Sequence, residues 1–188
     1  MLTLLNTDIN SFEDTDNVPS IRVRIYSKTD NTLDLNNMET YGFDLKTFST
    51  KSDTTECDFW FKIERKEIQP SIIQTNLNGG IIPVYIEDIN STFLFERMTA
   101  PTTGYRQQYT LKGNEEGFFI LARDGKTFGK LILEKSIINK SSPYEKGGYY
   151  KEYVRQFTCL YQPNGTTDLS YSQSNINLED FLVDHRLQ

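Results

Sequence analysis

Residues 116–162 read EGFFILARDGKTFGKLILEKSIINKSSPYEKGGYYKEYVRQFTCLYQ, and the fold is decided there. Gly117 to Arg123 is an apolar run, Arg123-Asp124-Gly125-Lys126 supplies the left-handed turn residues of a tight hairpin, and Phe128 to Ile138 resumes an extended pattern. A looser loop holding Pro143, Gly147 and Gly148 leads into a third strand. There the odd positions Tyr149, Tyr153, Phe157, Cys159 and Tyr161 fall on one face, because successive strand residues point to opposite sides. The stretch predicts a sheet with one aromatic surface.

The rest of the chain agrees with a β reading. Aromatic residues make up 13% of the 188 positions, mostly Phe and Tyr, which suit pleated, half-buried surfaces. Ala, the best helix former, occurs only at Ala100 and Ala122. A chain of this length buries roughly 70% of its unfolded surface in one domain without covalent staples. The expectation is an all-β, mostly antiparallel sheet or sandwich over 20–172, preceded by a loose polar arm over 1–19 and followed by a tail over 173–188. In that tail Asn177 caps a short C-terminal helix with Leu178, Phe181 and Leu182 at helical spacing.

Between these ends the strand signals are uneven. Ile21 to Ser27 alternates, with Ile21, Val23 and Ile25 on one side and Arg22, Arg24 and Tyr26 on the other. Tyr41 to Phe48 gives a second strand, and Cys57 to Ile68 a third whose outer face is charged except at Trp60. Asn78-Gly79-Gly80 turns into the run Ile81 to Ile86, which Pro83 makes an edge strand or a strand start because proline cannot donate to a ladder. Short strands are predicted at Ser91 to Met98 and Leu169 to Tyr171, the latter after a Pro163-Asn164-Gly165 hairpin signal. Pro70 and Asn76 are read as punctuation.

Charge and residue spacing exclude several chemistries. A net charge of −6 and a pI near 4.9 oppose a phosphate-binding face, so no nucleic-acid partner is expected. No window approaches a membrane span. Cys57 and Cys159 lack the spacing of zinc ligands; two separate buried thiols are favoured over a disulfide. His185 is the only histidine and lies in the predicted terminal helix, so nucleophile, base and orienter cannot be placed together, and no catalytic or metal site is expected. Asp30, Asp34 and Asn36 lack the Gly and distal Glu of a calcium loop, and the Asp124–Gly129 segment is a turn with no helix to make it a phosphate cradle. The aromatic face could stack on a planar ligand or a sugar, although core packing is the favoured reading.

The second half resembles the HmuY-like family of haem-binding surface lipoproteins. The resemblance rests on Gly117–Lys126, Gly129–Leu133 and Phe157–Gly165, with Tyr41-Gly42-Phe43-Asp44-Leu45 and Asp58-Phe59-Trp60-Phe61 upstream, in that order. It implies the family's β fold and a surface-exposed binding role. The family's iron-ligating histidine pair has no counterpart here: between Leu77 and Tyr109 the one soft ligand is Met98. No cofactor is therefore expected. If haem binds, Met98, Tyr149 and Tyr153 are the ligand-binding candidates.

Two functional expectations follow. The first is a non-catalytic binding or interaction domain. The second is a structural subunit of a larger assembly, such as a virion or a secretion or injection apparatus, docking protein partners or further copies through arms and sheet edges. An upstream signal removed before Met1 would place the protein at the cell surface; otherwise the cytoplasm or a virion is expected.

Overall fold

The computed structural model describes residues 20–30, 38–64, 70–85, 93–141 and 150–170. They form two five-stranded antiparallel sheets. The strands are β1 (Ser20–Asp30), β2 (Met38–Asp44), β3 (Ser49–Lys51), β4 (Phe59–Glu64), β5 (Pro70–Gln74), β6 (Gly80–Tyr85), β7 (Gln108–Thr110), β8 (Glu115–Leu121), β9 (Phe128–Ser141) and β10 (Tyr150–Gln162). The first sheet runs β1-β10-β9-β8-β6, the second β3-β2-β4-β5-β7.

The opening stretch supplies three adjacent strands of the first sheet. The β8–β9 connection is wider than a two-residue hairpin: Leu121 pairs with Phe128, and Gly125 takes φ 68°. Asp124 shapes the turn by accepting the amides of Lys126 and Thr127 at 2.8 and 2.9 Å and the Thr127 hydroxyl at 2.8 Å. These bonds hold its carboxyl below the usual range against the opposing effect of burial. In β9, Glu134 and Lys135 face the single residue Gln156, a bulge that shifts the register between Arg155 and Phe157.

Alternation along the strands assembles one core between the sheets. Phe43, Leu45, Phe59, Phe61, Ile73 and Tyr109 come from the second sheet and its loops, and Ile81, Phe118, Ile120, Leu131, Phe157, Cys159 and Tyr161 from the first. Phe157 is the hub of the ring packing, with Phe43, Phe59 and Phe61 centroids at 5.9, 6.2 and 6.1 Å. Such tilted and edge-on pairs each add about 0.5–1.5 kcal/mol beyond their buried area. The other face of the first sheet carries a smaller cluster of Val84, Leu94, Phe119, Ile132, Leu160 and Leu169. Around β8 the first sheet is thus covered on both sides, which is why its Gly117–Leu121 part reads as an apolar run and not as an alternation.

The structure corrects four local expectations. Ser91 to Met98 is not a strand: residues 91 and 92 lie outside the described set, and Leu94–Glu96 is a short 3₁₀ turn whose Leu94 is buried. Pro163-Asn164-Gly165 does not open a hairpin; the chain instead returns to bridge Thr99 with Asp168, and Leu169 plugs the outer cluster. Pro70 begins β5, a strand read from sequence only as punctuation, because the first residue of a strand tolerates a missing N–H. The strand predicted over Tyr41 to Phe48 ends at Asp44 in a turn, and the stretch between it and the next predicted strand holds β3 and a 3₁₀ turn at Thr54–Glu56. The predicted edge position of Pro83 is present, since β6 closes the first sheet. Both cysteines are free and buried. The N-terminal arm and the C-terminal helix lie outside the described residues.

Candidate functional site

Four charged side chains are buried among the described residues, and each is committed to the fold: Asp44 accepts the Lys46 amide at 3.0 Å and the Thr47 hydroxyl at 2.9 Å. Asp58 accepts the amides of Leu45 at 2.7 Å and Arg123 at 2.9 Å. Burial raises its pKa, and those two bonds only partly offset the shift. Glu115 accepts the amides of Lys112 and Gly113 and the Tyr109 hydroxyl at 2.5, 2.9 and 2.8 Å. Burial works against its charge, but these donors prevail and hold it below the usual range. Tyr109 in turn shares a 2.9 Å hydroxyl contact with Tyr85, tying β7 to β6 across the sheets. Lys130 is fully buried and donates to the carbonyls of Phe95 and Arg97 at 2.9 and 3.0 Å. Burial pushes its ammonium down to about 8, opposed by nearby Glu116. Among the described residues no group of three or more His, Cys, Asp or Glu side chains is gathered for a metal.

Of the three sequence-selected residues, Met98 and the backbone of Tyr153 fall within the described set. Met98 is half-buried, and its carbonyl accepts the Leu169 amide at 2.7 Å, a backbone role that supports the outer cluster. Tyr149 lies outside the described residues. Tyr153 is placed by its backbone in β10, opposite Ser27 and Ile138. The members of that aromatic face described in full, Phe157 and Tyr161, are core residues, 0% and 6% exposed.

An open polar row on the second sheet is the better candidate. Register places Lys51, Gly42, Trp60, Gln74 and Gln108 side by side across β3, β2, β4, β5 and β7. Phe59, Phe61, Ile73 and Tyr109 take the alternate positions and point into the core, so the row lies on the outer face. The Trp60 indole N–H donates to Gln74 Oε1 at 3.2 Å, and the Gln74 amide donates to Gln108 Oε1. This fixes both amide orientations and leaves the Gln108 Nε2 donors at the exposed end of the row.

A polar turn stands at the Gly42 end. A Cβ on Gly42 would lie 2.1 Å from Cys57 Sγ, so only glycine lets the 3₁₀ turn cross the strand this closely. Asp53 caps that turn by accepting the Thr55 amide and hydroxyl, both at 2.8 Å. Asn76 Nδ2 fastens it from beyond β5 through the carbonyls of Thr54 and Cys57, at 3.2 and 2.7 Å. Burial raises the Cys57 thiol to about 11, with the charge of Asp58 adding to the effect, so at neutral pH it is a packed hydrophobe and not a nucleophile.

Sequence reading had marked Trp60 as the lone uncharged residue on an outer strand face. It could not bring in Gln74 and Gln108, because one sits on a strand it missed and both depend on cross-strand register. Comparison of the chain with protein-family models, with curated proteins and with solved structures finds no match.

Proposed function

We propose that this protein is a non-catalytic binding domain whose recognition surface is the outer face of the second sheet, centred on Trp60, Gln74 and Gln108. The observation that carries the reading is the hydrogen-bonded row itself: an indole and two amides held in register on an open face, with donors left over. The buried ionisable groups support it from the other side. Asp58, Glu115 and Lys130 hold main-chain atoms, which is the work of a rigid scaffold and not of acid–base catalysis. The HmuY-like resemblance enters only as an expectation of a binding role on a β fold; haem is not part of the proposal.

The test is a combined glycan and peptide array probed with labelled full-length wild type, Trp60→Ala and Gln108→Ala. The reading requires at least one wild-type signal that both variants lose. Signals equal in all three proteins, or none at all, would overturn it.

A second reading, as a subunit of an assembly, is favoured by one feature. Three of the four sheet edges are guarded: β3 and β7 have three residues each, and β6 carries Pro83, a register shift after Val84 and bonds from Ile81 to Arg106. The fourth, β1, has eleven residues in unbroken register with β10, and no described residue pairs with its outer edge. A long edge without proline or bulge is the kind that accepts another strand. Light scattering over a range of concentrations tests it: association supports the subunit reading, and a strict monomer in the presence and absence of cell extract removes it.

A further inference from the structure

Resting on the binding-face reading, we propose that the ligand of the Trp60–Gln74–Gln108 row is a neutral glycan, with one pyranose ring stacked on the Trp60 indole and its hydroxyls bonded along the amides. A pyranose presents a flat patch of C–H groups ringed by hydroxyls that both donate and accept. Its complement is one aromatic surface beside groups that also do both. The row offers this pairing: Trp60 is half-buried at the centre, and the Gln108 amide is exposed at the end. The neighbouring register row, Lys62, Ile72 and Thr110, adds a hydroxyl and one charge, and Lys51 beyond Gly42 adds a second.

The alternatives fit less well. A polyproline segment needs slots between several aromatic side chains, and this row holds a single indole. An anionic ligand would meet Asp53 and Glu56, both exposed on the turn that borders the row, which offset Lys51 and Lys62 and leave no surplus of positive charge, in a chain of net charge −6. A neutral polyhydroxyl ligand meets neither obstacle. The orientation of the row also gives it direction: hydrogen bonds run from Trp60 through Gln74 to Gln108, so the ligand's first acceptor belongs at Gln108 Nε2.

The experiment is calorimetric titration of the full chain with cellohexaose, chitohexaose and maltohexaose, repeated with Gln108→Ala, Trp60→Phe and Trp60→Ala. At least one oligosaccharide is expected to bind wild type, about tenfold more weakly to Gln108→Ala, in which one exposed hydrogen bond is lost, and not detectably to Trp60→Ala. Trp60→Phe keeps a stacking ring without the N–H and falls between. Gln108 is exposed, so its variant stays folded and carries the test even where Trp60→Ala does not. Absence of binding to all three sugars, or binding that Gln108→Ala leaves unchanged, overturns the glycan assignment. If that absence is joined by Trp60-dependent peptide signals on the array, the binding face survives and only its ligand class is wrong; if the array too is blank, both fall.

Discussion

The carboxylate of Asp58, at the entrance to β4, accepts the main-chain amide of Arg123, 65 residues further on in the β8–β9 turn, at 2.9 Å. The same carboxylate holds the Leu45 amide at 2.7 Å. One buried side chain thus ties the second sheet to the turn between two strands of the first. Arg123 reinforces the tie with a 3.5 Å contact to Asp44.

Asp58→Ala is therefore expected to lower unfolding free energy by about 2–4 kcal/mol, because two buried donors lose their acceptor at once. Asp58→Asn keeps one acceptor oxygen and should cost roughly half as much. Urea denaturation of the three proteins reads this directly. A loss below about 1 kcal/mol for the alanine variant would mean that the amides find other partners.

Lys130 makes stability depend on alkaline pH. Its folded pKa of about 8 lies below the ordinary 10.5, so the unfolded chain holds more protons between these values and stability from this group rises with pH across the window. The gain is on the order of 3 kcal/mol, complete near the unfolded value. Cys57 acts in the opposite sense, since its raised pKa of about 11 makes its contribution fade above pH 9.0. The wild-type minus Lys130→Met difference cancels that contribution. It should climb from pH 8 to 10.5; a flat difference would show that the ammonium is fully compensated by the carbonyls it meets.

Gly42 and Cys57 are coupled by space. Gly42→Ala puts a methyl group 2.1 Å from Cys57 Sγ and 3.0 Å from the Lys51 carbonyl, and a cost of about 2–3 kcal/mol follows from the overpacking. Cys57→Gly should recover part of that cost in the double variant, giving a non-additive cycle in thermal or urea melts. Strict additivity would mean that the turn simply lifts away from the strand.

Much of the fold could be read from residues 116–162, since β8, β9 and β10 are long and bounded by turn chemistry that admits few alternatives. The aromatic positions Phe157 and Tyr161 lie in the core, where their burial is nearly complete. The misses have a common origin. β5 begins on Pro70 and is five residues long, too short for alternation to stand out, and the residues around Leu94 are apolar because they cover the outer face of the first sheet, not because they pair. Lys130 gave no sign of burial, since its partners are backbone carbonyls that no side-chain pattern reveals. The Trp60 row was hidden for a related reason: Trp60, Gln74 and Gln108 are strangers in sequence and neighbours only through register.

Trp60 is the one tryptophan of the chain, so its emission reports on the proposed site without labels. Titration of the native protein with neutral oligosaccharides should shift and saturate that emission as a sugar ring replaces water on the indole, and Gln108→Ala should move the midpoint to higher concentration. An emission spectrum unmoved by every sugar, in a protein whose calorimetry shows binding, would place the ligand elsewhere and contradict the account.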